Sequence, residues 1–187
     1  MSTTRTTAIP TGTWAVDPAH SSVEFTVKHL GIATVRGRFR EFEGRLEMRE
    51  NLKDSRALGT VKAASIDTTE PQRDDHLRSP DFFDADRYPE LSFESTAIEQ
   101  VEDDVYEVTG DLTLHGVTKP ITLRVQPAGV EQDPWGNTRV GIEATGEISR
   151  GEYEMKFNQA LGSGNMLVSD KVRLHLDISA VRQTDEV

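Results

Sequence analysis

Five histidines, His20, His29, His76, His115 and His175, have the widest chemical repertoire in the chain. A metal held on one element needs ligands at HxH, HxxxH or HExxH spacing, and none of the five falls into such a pattern. Asp74 and Asp75 beside His76 read as a solvated charge run. The chain has no cysteine, which removes thiolate metal sites, disulfides and cysteine nucleophiles together. Ser163 lies in Gly162-Ser163-Gly164, without the strand-to-helix setting of a nucleophile elbow or the lysine of a phosphate loop, so it reads as turn chemistry. Asp103 and Asp104 are adjacent carboxylates, but in a stretch where Asp serves local backbone bonding. His29 continues the series Val23, Phe25, Val27, which places it inside the fold or at its rim. It is either a satisfied core histidine or, with a buried carboxylate, an acid–base pair. No motif demands a catalytic residue, a metal or a cofactor.

The elements that must position these groups follow a period of two from Thr13 onward, the pattern of half-buried strands. Val23, Phe25 and Val27 alternate with Glu24, Thr26 and Lys28. The same alternation runs through Leu91 and Phe93, through Ile121, Leu123 and Val125, through Val140, Ile142 and Ala144, and through Val172, Leu174, Leu176 and Ile178. Turn signals at 51–55, 102–104, 115–120 and 133–137 are too short for crossover helices, so neighbouring strands run antiparallel. About eight strands with one apolar face can form a sandwich or close on themselves. Long runs at 34–48, 105–115 and 137–149 favour a closed barrel, which removes exposed edges. Small inward residues, Gly59, Ala63, Ala97, Ala144 and Gly146, either taper a solid core or leave volume for a ligand.

Two segments break the alternation. Residues 70–88 carry Pro71, a charged run, Ser79-Pro80 and the adjacent Phe82 and Phe83; Ser79 is expected to cap one or two helical turns. Residues 151–166 read as a loop with a short helix. Both are expected to cover a barrel end.

The 187 residues fit one domain, expected over 12–183 after a disordered arm at 1–11. A net charge of −11 argues against nucleic acid as a partner. Mean hydropathy is −0.52, and no run approaches the length of a transmembrane helix. The N-terminus lacks the apolar run of an export signal, so a cytoplasmic location is expected.

Four blocks carry a resemblance: TWAVDPAHSSVEFTVKHLGIATVRGRF at 13–39, HLRSPDFFDADRYPELSFEST at 76–96, GDLTLHGVTKPITL at 110–123 and LVSDKVRLHLDI at 167–178. Taken together and in order, they make the chain resemble the YceI-like, polyisoprenoid-binding family. The resemblance implies an all-β fold: an extended, lipocalin-like, eight-stranded antiparallel barrel with short helical segments near one end and an apolar cavity for a polyprenyl chain. The lining it implies is Phe25, Val27, Phe39, Phe82, Phe83, Phe93, Leu112 and Leu114. His29 and Ile142 join these from the alternation, and Phe157 and Leu161 from the covering loop. Lys28, Arg36 and Arg38 are the rim cations expected to meet a diphosphate head.

The expected function is therefore non-catalytic binding, transport or storage of a long-chain isoprenoid or similar lipid, without cofactor. The sequence admits a homodimer. Two other readings stand beside it: an enzyme acting on a hydrophobic substrate through His29 and a buried carboxylate, and an interaction module with a filled core.

Overall fold

The alternating runs become β-strands whose apolar faces share one interior. The computed structural model describes residues 9–164 and 166–184. In chain order the strands are β1 (Gly12–Val16), β2 (Ser22–His29), β3 (Ala33–Phe39), β4 (Phe42–Met48), β5 (Arg56–Lys62), β6 (Ile66–Asp67), β7 (Glu90–Glu102), β8 (Val105–Leu114), β9 (Val117–Gln132), β10 (Thr138–Ser149) and β11 (Val168–Arg182). One helix, α1 (Pro71–Arg78), lies between β6 and β7.

The sheet runs β1-β4-β5-β7-β8-β9-β10-β11, and a pairing of β1 with β11 closes it into an eight-stranded antiparallel barrel. β2, β3 and β6 prolong three of the wall positions. The last strand pairs Val16 with Ala180 on β1 and Val23 with Leu176 on β2, so β1 and β2 act as one wall strand interrupted at 17–21. The expected run 34–48 is likewise broken between Phe39 and Phe42. From β7 to β11 the chain is a plain meander.

Two apolar plugs fill the barrel ends. At one, Trp14 is fully buried with Met48, Val140 and Ala180, and Ile9 and Ile178 pack against them. The Trp14 indole Nε1 donates to Pro10 O at 3.0 Å, so residues 9 and 10 contact the body of the fold. Thr11 O accepts from Arg182 Nη2 at 2.7 Å, and the rest of the expected arm, 1–8, lies outside the described residues. At the other end Phe82, Leu114, Tyr153 and Met155 are buried together, with Leu77, Phe83 and Phe157 around them.

Both covering segments meet this second end, with one correction. The helix starts from Glu70 with Pro71 in its first turn, and Ser79 terminates it instead of capping a start. Ser79 precedes Pro80, whose ring disfavours helical backbone at the preceding residue, and Ser79 is extended with ψ 168°. The helix is tied down through Asp74, whose carboxylate accepts from Thr68 N at 2.8 Å, and through Arg78, which donates to Ala64 O and Ile66 O. Residues 150–153 form a single 3-10 turn before an irregular loop.

The alternation fails at one predicted position. Ala97 is exposed, because a bulge between Ser95 and Ala97 shifts β7 by one residue and turns Ile98 inward instead.

Two glycines on the inner wall let phenyl rings lie flat. A Cβ on Gly37 would stand 2.2 Å from the Phe25 ring, and one on Gly110 would stand 2.4 Å from the Phe93 ring and 2.6 Å from Glu94 O. At Gly110 a clash with backbone cannot be relieved by moving the ring alone. Gly110→Ala is therefore expected to destabilise the fold by about 1–3 kcal/mol, read as a lower urea midpoint at unchanged m-value.

At the Trp14 end Arg139 ties two turns together, donating from Nη1 to Asp17 at 2.8 Å and from Nε to Asp133 at 2.9 Å. Arg139 and then His20 hold the Asp17 carboxyl at about 2, below its ordinary 3.8. Burial alone would raise Asp133, but Arg139 and the Asn137 amides bring it to about 2 as well. Both carboxyls titrate lower folded than unfolded, so their contribution is complete above about pH 4 and lost as pH falls toward about 2. Acid titration of the urea midpoint should show that loss, and Arg139→Gln should flatten it.

Candidate functional site

The barrel encloses a cavity of about 350 Å³ between the two plugs. Its wall is built from the inward parity of nearly every long strand: Val23, Phe25 and Val27 of β2, Leu91 and Phe93 of β7, Val108, Leu112 and Leu114 of β8, Ile142, Ala144 and Ile148 of β10, and Val172 to Ala180 of β11. Lining residues reach from Ile9 and Met48 at one plug to Leu77, Phe82 and Met155 at the other. The volume is at the lower end of small-ligand pockets, and spread over that length it makes a slot, not a chamber.

Nine of the twelve residues expected to contact a ligand face this slot: Phe25, Val27, Phe39, Phe82, Phe83, Phe93, Leu112, Leu114 and Ile142. The adjacent Phe82 and Phe83 both reach it because they sit in tight turns rather than on one strand face; Asp84 follows at φ 48°. Phe83 meets Phe39 edge-on at 5.6 Å, and Phe39 meets Phe25 at 5.8 Å, so three rings form a continuous flank.

The other three stand elsewhere. His29 ends β2 opposite Ala33 and Val168, at the rim and outside the lining. Phe157 packs on the outer side of the second plug, 5.3 Å from the Phe82 ring and 4.8 Å from His76. Leu161 is half-buried in the loop beyond it. His29 stands at the rim, and the two buried carboxylates among the described residues are engaged elsewhere, Asp74 by Thr68 and Asp84 by Arg87 at 3.8 Å.

The predicted head-group cations are also displaced. Lys28, Arg36 and Arg38 alternate with inward residues, so the parity that puts Phe25 and Phe39 inside puts these three outside. Lys28 donates to Thr34 at 2.6 Å, and Arg38 lies 3.8 Å from Asp67, both on the outer wall.

A different cation reaches the slot. Arg150 is 5% exposed and is the one buried Lys or Arg among the described residues. Its guanidinium donates to Ser169 O at 2.9 Å, Met155 O at 2.7 Å, Phe157 O at 2.9 Å and Val168 O at 3.1 Å. Four of its five N–H donors are thus committed to main chain of the loop and of the start of β11. Burial pushes the guanidinium below its ordinary pKa, and the nearby Asp170 opposes that. Asp170 is itself held below its usual range by the Ser149 hydroxyl and the Gly151 amide. Between Val168 and Val172 the last strand bulges away from β2, which presents Val168 O and Ser169 O to the guanidinium. Tyr153 is buried beside it; its hydroxyl has no hydrogen-bond partner, and burial pushes it up to about 12.

Comparison with known proteins agrees with this architecture. A family profile described as YceI-like domain matches residues 14–180. A UPF0312 protein of Vibrio parahaemolyticus is 38% identical over 183 residues, 94% of this chain and 93% of its own length. Protein YceI of an Escherichia coli O17:K52:H18 strain is 38% identical over 165 residues, 88% of this chain and 83% of its own. Among solved structures, BcnA of Burkholderia cenocepacia superposes with a TM-score of 0.75 at 25% identity, covering 88% of this chain and 98% of BcnA. A polyisoprenoid binding domain from Saccharophagus degradans, implicated in plant cell wall breakdown, superposes at 0.69 with 16% identity, over 91% of this chain and 98% of that one; at that identity the likeness is one of fold. A closed eight-stranded barrel with matched sequence along almost its whole length makes the assignment: the chain belongs to the family of YceI-like domains.

Proposed function

We propose that this protein binds a long-chain isoprenoid or similar lipid in its barrel, as a carrier or store and without catalysing a reaction on it. The observation that carries the reading is the slot itself, about 350 Å³ of interior walled by aliphatic and aromatic side chains from plug to plug. An unfilled apolar interior forfeits dispersion contacts, so an occupant that restores them gains free energy without any hydrogen bond. Each buried methylene contributes roughly 0.8 kcal/mol, and a few isoprene units therefore reach about 10 kcal/mol gross, offset in part by immobilisation. Membership of the family and the Saccharophagus degradans neighbour support a polyisoprenoid as the class of ligand.

Selection in such a slot is by length and cross-section. With four Arg150 donors already satisfied, one guanidinium N–H remains for a polar end of the ligand. Among the described residues no lining constellation supplies a nucleophile with its base, which favours carriage over turnover.

Ala144 offers a direct test, since it is buried, lines the slot and sits between Val125 and Leu176 on the neighbouring strands. Ala144→Phe fills the lumen while leaving the outer wall unchanged. Binding of a fluorescent polyprenyl probe is expected to fall at least about tenfold, with far-UV circular dichroism unaltered. Equal affinity in the variant would place the probe outside the barrel and defeat the proposal.

A further inference from the structure

The outer wall carries a second concavity across β2, β3 and β8 to β11, which shares Glu24, Phe25, Val27 and Leu174 with the lining of the slot. Five cations line it, Lys28, Arg36, Arg124, Lys171 and Arg173, against three carboxylates, Glu24, Glu107 and Glu147. On a chain with a net charge of −11, a local excess of cations is a departure from the rest of the surface. Lys171 and Arg173 share the single carboxylate of Glu147, at 3.6 and 3.5 Å. Arg124 reaches Glu102 at 3.7 Å. Lys28 and Arg36 are exposed and stand in no ion pair among the described residues.

This groove runs into the hairpin between β2 and β3, whose tip exposes a large apolar side chain. Ile32 is 77% exposed, and Met166 is 45% exposed on the neighbouring loop, which is joined to the hairpin by Leu30 N donating to Leu167 O at 2.9 Å. Water gains nothing from either side chain, and neither packs into a plug. At the same end the lid carboxylates Asp75, Asp81 and Asp84 are held by Arg78, His76 and Arg87. The opposite end also shows an apolar residue, Trp135, 81% exposed, but in a turn built on the Asp133 carboxylate and with Asp103 and Asp104 in the β7–β8 turn.

We propose that the hairpin end and its cationic groove dock on the surface of an anionic lipid bilayer. Lys28, Arg36, Lys171 and Arg173 meet lipid phosphates, and Ile32 with Met166 enters the boundary between head groups and acyl chains. Cationic side chains beside an exposed apolar tip are complementary to such a surface, and the attraction acts within a Debye length, where the distant acidic residues are screened. Docking there brings the Phe82 plug, and with it the nearer end of the slot, to the membrane. The inference goes beyond the cargo reading and does not need it, because the test uses vesicles free of polyprenyl lipid.

The full chain is sedimented with vesicles of phosphatidylcholine alone and with vesicles of equal parts phosphatidylcholine and phosphatidylglycerol. It should pellet with the mixed vesicles and remain in solution with the neutral ones, and raised salt should release it. The double variant K28E/R36E, and separately Ile32→Ser, should each weaken the partition about tenfold or more. The chain has two tryptophans, Trp14 fully buried and Trp135 at the far end, so tryptophan emission should not shift on binding. An emission shift to shorter wavelength would put the Trp135 end on the membrane and overturn the assignment. So would equal binding to both vesicle types, no binding to either, or a double variant that binds as well as the parent.

Discussion

Closure of the sheet by its last strand is the constraint from which the rest of the molecule follows. Along one edge β11 is laddered to β10 from Lys171 to Val181, and along the other it serves β2 and then β1. Removing the free edges in this way fixes the circumference, so the inward side chains must either fill the interior or leave a lumen. Here they leave one. Gly37 and Gly110 provide floors on which the Phe25 and Phe93 rings lie, which keeps two large rings along the wall instead of across the bore. The end plugs, around Trp14 and around Phe82, then bound the lumen at its two ends without filling it.

The second plug is held by an interaction of a different kind. The Phe82 end is not closed by the barrel strands alone: the chain between β10 and β11 is irregular, with one isolated bridge, Ala160 to Met166, among the described residues. Arg150 gathers four carbonyls around one buried charge, Met155 O and Phe157 O from the loop and Val168 O and Ser169 O from the start of β11. Buried carbonyls left unpaired would each cost on the order of 1–3 kcal/mol, so a planar five-donor group is a better closure here than an ammonium. Asn158 adds a copy of strand pairing, donating to Val168 O and accepting from Val168 N. The unpartnered hydroxyl of Tyr153 lies in the same plug, the least satisfied polar atom there among the described residues.

How far this was legible in the sequence depended on whether the controlling partner was local. The parity of Val23, Phe25 and Val27 sufficed to place the β2 wall, the long alternating runs favoured a closed barrel, and the four blocks of family resemblance supplied its cavity. Parity failed at Ala97, where a bulge that no residue type announces moved Ile98 inward. The same rule that sends Phe25 inside requires Lys28 and Arg36 to face outward, and they do. Ser79-Pro80 looked like a helix start, but Pro71 had already claimed that role nine residues earlier in the chain. Arg150 is silent in the sequence, because its partners are main-chain carbonyls brought to it by the fold, and a lone arginine before a glycine carries no signal of that.

The central claim is that the lumen is an occupied site and not a packing defect. Native mass spectrometry of the full chain, purified without detergent and then incubated with a polyprenyl alcohol, tests it most directly. The account predicts a one-to-one adduct of the added alcohol's mass, or of a lipid already carried and exchanged for it, surviving gentle desolvation and absent from a protein whose lumen is blocked. A spectrum of bare polypeptide under the same conditions, with no adduct at any lipid excess, would contradict it.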